Sequence, residues 1–323
     1  MTAGSLPMPD LLVICGPTAS GKTWIGVQLA LRLHGEILSV DSRQVYRGLD
    51  LGAGKDLDEY RTAHEQVACH LIDIADPRQV YSLWHFVRDF GNALTAVRAR
   101  GRLPVAVGGT GLYLEAVLRG YRIPSPPPDD RLRRQLMEQP LERLVEQLRQ
   151  LRLDPAYHHP ALDRVDVSSK RRVVRALEIG LKQAAGAESP PVQAQPGQPL
   201  VVAIRWDRTR LLERIAIRLD ERLRAGMIDE VRTLMHQGVP SSRLRQLGME
   251  YRHVARYLDG ETTLECMTND LRRDIARLAK RQQTWFRGME RRGVPMHWVD
   301  GDPPDRAVEH IEQLFLAARH ARE

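Results

Sequence analysis

Three cysteines in 323 residues, Cys15, Cys69 and Cys266, are scattered with no CxxC pair, which excludes a disulfide framework and a cysteine-built zinc site. No apolar run is long enough to cross a bilayer, and no basic stretch followed by an apolar one opens the chain. A membrane partner and a secretory leader are therefore not expected, and the cytoplasm is. Aromatic residues are few, at 5%, within a hydrophobic total of 42%. That is a soluble globular composition of a length suited to one or two domains. Acidic charge is in the minority: 48 Lys and Arg against 41 Asp and Glu leave a net +7, which fits a polyanionic partner.

What is present centres on residues 11–33. An apolar run at 11–15 reads as a buried strand, and Gly16-Pro17-Thr18-Ala19-Ser20-Gly21-Lys22-Thr23 then fits G-x-x-x-x-G-K-[ST], the phosphate-cradling loop. Its glycines let successive N–H groups point at one anion. Lys22 adds a point charge, Thr23 a hydroxyl for Mg²⁺, and the helix read over 24–33 an N-terminal dipole. The ligand is a di- or triphosphate, ATP included.

A strand at 35–40 ends in Asp41-Ser42-Arg43-Gln44. In an open parallel sheet this is where ligands sit, so Asp41 is a candidate for proton transfer, or else a helix N-cap. Residues 49–55 form a glycine-rich loop with a second lysine, Lys55. A strand at 70–74 and a helix at 83–100 follow, the latter with a core stripe of Phe86, Phe90, Leu94 and Val97; His70 and His85 read as structural. The next strand, 104–107, ends in Gly108-Gly109-Thr110-Gly111. Many phosphate-loop nucleotidases hold a magnesium-binding acid near such a strand end. Here a hydroxyl and open backbone stand in its place, which suits a leaving oxygen better than a second metal.

Proline clusters at 124–128 and 190–199 bracket helical patterns at 132–153 and 168–182, the second with Arg171, Arg175, Glu178 and Lys182 along one face. A strand at 200–204 leads into a helix with Arg210, Arg214, Arg218 and Arg222 at i+4 steps, a column suited to clamping pyrophosphate or to facing solvent. Residues 270–292 hold eight basic residues against three acidic, most of the net charge, on a helix whose seam reads Leu271, Ile275, Leu278, Gln282, Trp285 and Met289. Residues 299–323 read as a loop and a short amphipathic helix. The expected fold is α/β: a parallel-sheet core of the phosphate-loop NTPase type over 9–120 and 200–310, flanked by helices, with an all-helical insertion at 121–199.

Five segments together resemble the tRNA dimethylallyltransferase (tRNA isopentenyltransferase) family. They are residues 16–23; Asp41-Ser42-x-Gln44-x-Tyr46-x-Gly48-x-Asp50-x-Gly52; Gly108-Gly109-Thr110-Gly111-Leu112-Tyr113; Arg175-Ala176-Leu177-Glu178; and Lys280-Arg281-Gln282-x-Thr284-Trp285-Phe286-Arg287. The resemblance implies transfer of a dimethylallyl group from its diphosphate to the exocyclic N6 amine of the adenosine beside the anticodon, with release of diphosphate. It implies that residues 16–23, with Arg214 and Arg218, hold the donor and that Lys22, Asp41 and Thr110 are catalytic. Asp41 is then the general base, Thr110 contacts the bridging oxygen, and Mg²⁺ sits at Thr23. The tRNA anticodon stem-loop is met by Asp41, Ser42, Arg43 and Gln44, by Arg171, Arg172 and Arg175, and by Lys280, Arg281, Gln282, Gln283, Thr284, Trp285, Phe286 and Arg287. A monomer is expected. The chain departs from the family pattern at Ala53-Gly54 before Lys55, at residues 167–172, where Arg171 replaces a common Gln, and at Leu247-Gly248-Met249-Glu250-Tyr251. Two other readings of the same residues are an ATP-dependent small-molecule or nucleotide kinase, and a non-catalytic RNA-binding protein that retains the loop.

Overall fold

A computed structural model describes residues 9–61, 66–123, 129–153, 165–184 and 191–320. The proline clusters at 124–128 and at residue 190 lie outside them. Six strands, β1 (Leu11–Cys15), β2 (Gly35–Val40), β3 (Cys69–His70), β4 (Leu103–Gly108), β5 (Pro199–Arg205) and β6 (His297–Asp300), form one parallel sheet in the order β3-β2-β4-β1-β5-β6. Parallel strands are covered on both faces, and this explains why β1 is Leu-Leu-Val-Ile-Cys without a polar break, every residue buried.

The helices are α1 (Lys22–Arg32), α2 (Leu83–Ala99), α3 (Gly111–Leu118), α4 (Asp130–Glu138), α5 (Leu141–Leu153), α6 (Lys170–Ala184), α7 (Arg208–Arg224), α8 (Met227–His236), α9 (Ser241–Leu244), α10 (Met249–Leu258), α11 (Leu264–Arg291) and α12 (Pro304–His320). The chain falls into two compact units. One holds the sheet with its flanking helices and the C-terminal helices; the other comprises Ser82–Arg88 and Tyr121–Ala194. In the second unit Leu136, Leu144, Leu148, Val173, Val174 and Leu177 pack α4, α5 and α6 together.

Four expectations change. The helix read over 132–153 is two helices, because Pro140 has no N–H to continue the first and suits the first turn of the second. The strand read over 70–74 stops at His70, since Leu71 and Asp73 take left-handed backbone angles. Asp41 caps no helix: its Oδ1 accepts from the Arg43 N–H at 2.8 Å in a turn. The sequence of 299–323 reads as a loop and short helix, yet β6 pairs with β5 and α12 runs seventeen residues. A four-residue His-Trp-Val-Asp strand is too short to show a period.

Candidate active site

Register brings the site together. Gly108 of β4 lies opposite both Cys15 of β1 and Val40 of β2, so the loops leaving three adjacent strands open side by side at their carboxyl ends. They line a cavity of about 1140 Å³ that takes in Thr18 to Thr23, Asp41 to Gln44 and Gly108 to Leu112. The phosphate loop is braced from outside. The Trp206 indole N–H donates to the Ser20 carbonyl at 3.0 Å, and the Arg214 Nε–H donates to the Ala19 carbonyl at 2.8 Å. The Arg214 guanidinium stacks on Trp206, 4.4 Å from the ring centre. Lys22, with Nζ donating to the Pro17 carbonyl at 3.2 Å, has no acidic partner within salt-bridge distance among the described residues. Burial, with the Arg218 charge, pushes its ammonium down to about 8, while Asp41 and Asp56 pull the other way.

Thr110 is tied to the backbone on either side of Asp41. The Ser42 N–H donates to Thr110 Oγ at 3.0 Å, and the Thr110 N–H donates to the Val40 carbonyl at 3.3 Å. Thr110 Oγ accepts there, so its own hydrogen remains available to donate. The glycine turn exists because α11 lies against it. A Cβ on Gly109 would stand 2.5 Å from Gln282 Nε2, and one on Gly111 2.4 Å from the Trp285 ring. Gln282 uses that approach to clasp both loops, its Oε1 accepting from the Thr18 N–H at 2.8 Å and its Nε2 donating to the Gly109 carbonyl at 2.9 Å.

The IPP transferase family model matches residues 44–289 of this chain. The chain belongs to the IPP transferase family. It is 44% identical over 312 residues to tRNA dimethylallyltransferase 1 of Syntrophus aciditrophicus (strain SB), covering 94% of this chain and 98% of that relative. To tRNA dimethylallyltransferase 2 of Syntrophotalea carbinolica it is 48% identical over 311 residues, covering 95% and 99%. The crystal structure of the full-length tRNA isopentenylpyrophosphate transferase from Bacillus halodurans superposes with a TM-score of 0.68 at 33% identity, covering 97% of each chain.

Two departures of this IPP transferase from the family pattern are coupled through the cavity wall. Tyr251, in the Leu247–Tyr251 variant segment, donates to Glu230 Oε1 at 2.7 Å and accepts from the Ala53 N–H at 3.1 Å. Its ring lies where a Cβ on Gly52 would come within 2.6 Å. Gly54, at φ 63°, leaves room for Arg222, whose Nη2 would be 2.1 Å from a Cβ there. The 52–54 loop is thus packed against Tyr251 of α10 and Arg222 of α7.

The remaining predicted residues divide. Gln44 is a buried brace, accepting from the Ser39 hydroxyl at 2.7 Å and donating to the Gly54 carbonyl at 2.9 Å. On α11, Arg281, Gln282 and Trp285 line the cavity, and Lys280, Thr284 and Arg287 are exposed. Phe286 has no exposed surface, so it is a core residue rather than a nucleic-acid contact. The expected seam is corrected with it. Met267, Leu271, Ile275, Ala279, Phe286 and Met289 face the core, whereas Leu278, Gln282 and Trp285 face the cavity. In the second unit Arg171 is exposed and Arg172 pairs with Asp166 at 2.8 Å. Arg175 and Arg133 both bind the fully buried Glu178, at 2.7 and 2.9 Å. The arginine column on α7 also splits. Arg210 pairs with Asp302, Arg214 braces the loop, and Arg218 and Arg222 share Asp56. Asp56 and Trp206 lie outside the residues that the sequence marks; Trp206 alone carries a signal, its place just past β5.

Among the described residues no group of three His, Cys, Asp or Glu side chains is arranged to hold a metal. Thr23 and Asp41, at the phosphate loop and beside it, offer hard oxygen donors to the cavity. That set fits a largely hydrated Mg²⁺ carried on ligand phosphates rather than a protein-caged ion.

Proposed function

We propose that this IPP transferase moves the dimethylallyl group of dimethylallyl diphosphate to the exocyclic N6 amine of the adenosine beside the anticodon of tRNA, releasing diphosphate. The observation that carries the reading is the Ser42–Thr110 bond next to Asp41, in one cavity with Lys22 and the phosphate loop. The loop N–H groups and Lys22 hold the diphosphate, with Arg214 and Arg218 alongside. Thr23 would hold Mg²⁺, which would neutralise part of the diphosphate charge. The amine nitrogen bonds to the allylic carbon as the carbon–oxygen bond breaks, and its electron pair leaves with the diphosphate. The Thr110 hydroxyl donates a hydrogen bond to that bridging oxygen and keeps its hydrogen, and Asp41 takes the proton lost by the amine. An adenine inside a stacked loop must swing out to reach the cavity. No described helix is long and apolar enough to cross a membrane. The enzyme works as a cytoplasmic monomer in this reading.

Mass spectrometry of tRNA nucleosides after incubation with dimethylallyl diphosphate is the deciding measurement, run beside an ATPase assay. An N6-prenylated adenosine is expected; ATP turnover without it would favour the kinase reading.

The exposed face of α11, including Lys280, Arg281 and Arg287, is the proposed tRNA grip of the first unit; Arg171 and Arg172 are the contacts proposed for the second unit by itself. Each phosphate contact removed lowers the log–log salt slope of RNA binding by roughly 0.7–0.9. Arg277→Ala with Lys280→Ala should therefore flatten that slope by about one to two units at unaltered donor affinity. An unchanged slope would place the RNA footprint elsewhere.

Donor affinity should also fall with rising pH. Lys22 titrates at about 8, and a bound diphosphate raises that value, so binding takes up a proton wherever the Lys22 of the uncomplexed protein is neutral. Affinity is full about a unit below pH 8 and declines through it, by about tenfold between pH 7 and pH 9. Calorimetry at both pH values checks this, and Lys22→Arg, which stays charged, should flatten the profile.

A further inference from the structure

Asp56 lines the donor cavity and occupies two of its arginines. Its carboxylate accepts from Arg218 and, at 3.3 Å, from Arg222, one turn further along α7. The residues before it build this seat. Gly54 makes room for Arg222. Lys55 has no exposed surface and donates to the Tyr46 carbonyl at 2.9 Å, to Asp50 at 2.6 Å and to Asp73, fixing the backbone from which Asp56 projects. Asp56 follows at φ 45°, a left-handed angle that turns it toward α7.

We infer that Asp56 is an internal stand-in for the donor's diphosphate, pairing Arg218 and Arg222 between turnovers, yielding them to the incoming diphosphate, and reclaiming them as product leaves. The inference rests on the donor site proposed above. Lys22, Arg218 and Arg222 would repel one another without an anion among them, and Asp56 supplies one of low charge. A diphosphate outcompetes a single carboxylate when it arrives but has a competitor beside it when it must depart. Glu59 completes the exchange. Its Oε2 is buried without a hydrogen-bond partner, and burial, together with the Asp56 charge, brings its carboxyl up to about 7. When the arginines leave Asp56, Glu59 can take a proton, so that two adjacent carboxylates need not stay charged.

The test is calorimetric titration of inorganic pyrophosphate into wild type, Lys22→Ala, Asp56→Asn, Asp56→Ser and Asp56→Glu, with thermal unfolding confirming that each is folded. Both charge-removing variants should bind pyrophosphate about tenfold more tightly, and Asp56→Glu should return toward wild type. In prenylation assays Asp56→Asn should lower both KM for the donor and steady-state kcat, at an unchanged single-turnover rate, because product release becomes limiting. Weaker pyrophosphate binding would make Asp56 a mere scaffold for the arginines, and unchanged binding would deny competition; either overturns the inference while the donor site stands. If wild type fails to bind pyrophosphate, or Lys22→Ala binds it equally well, the donor site falls and this inference with it.

Discussion

Asp41→Asn is expected to lower the single-turnover prenylation rate by about 10²–10⁴-fold, the usual contribution of a positioned general base. Donor and tRNA affinities should stay within a few-fold. The substitution is nearly isosteric, and the one contact that orients the side chain, the Arg43 N–H at 2.8 Å, goes to Oδ1, which an amide oxygen replaces. What the amide cannot do is take a proton from the attacking amine. The neighbouring machinery is untouched, because the bond from Ser42 to Thr110 is made by the backbone. Rapid-quench measurement with enzyme in excess over tRNA separates chemistry from product release. A rate within a few-fold of wild type would leave Asp41 as the residue that shapes the 41–44 turn.

The parts of this site that were legible in the sequence are those with a local signature. A continuous apolar run followed by Gly-x-x-x-x-Gly-Lys-Thr announces a buried strand, a tight turn and a helix start, and residues 11–32 fold that way. The chain makes its other strand-to-helix turn of this kind at Gly108 to Gly111, and there the glycines were visible but their cause was not. They are open because Gln282 and Trp285 come in from a helix more than 170 residues away. The period of α11 is helical, yet periodicity marks a covered face without saying what covers it. This helix is covered on one side by core and lines the cavity on another, so spacing alone groups Gln282 and Trp285 with Leu271 and Ile275. The same limit hid the partner of the α7 arginines. Arg218 and Arg222 at i+4 read as a clamp, but Asp56 reaches them across 162 and 166 residues of chain, a pairing that only the tertiary fold decides.

Lys22→Ala is expected to weaken donor binding by about 10²–10³-fold, the cost of removing one partner from a sequestered charge pair. The Arg214 Nε–H is spent on the Ala19 carbonyl, and Arg218 is shared with Asp56, which leaves Lys22 as the cation within the phosphate loop that has no acidic partner of its own. Its ammonium is already held at a cost. Burial lowers it from 10.5 to about 8, so below pH 8 the folded protein keeps a proton there that the unfolded chain binds more tightly. Removing the amine relieves that cost at neutral pH, and thermal stability should stay level or rise while donor binding collapses. Calorimetry with dimethylallyl diphosphate and a melting curve on the same sample read both effects. Loss of binding together with a lower melting temperature would mean that the lysine holds the loop's shape, and full binding would move the donor away from residues 16–23. A level or higher melting temperature with binding lost leaves the lysine the role of charge partner to the diphosphate, at a stability cost the empty loop carries between turnovers.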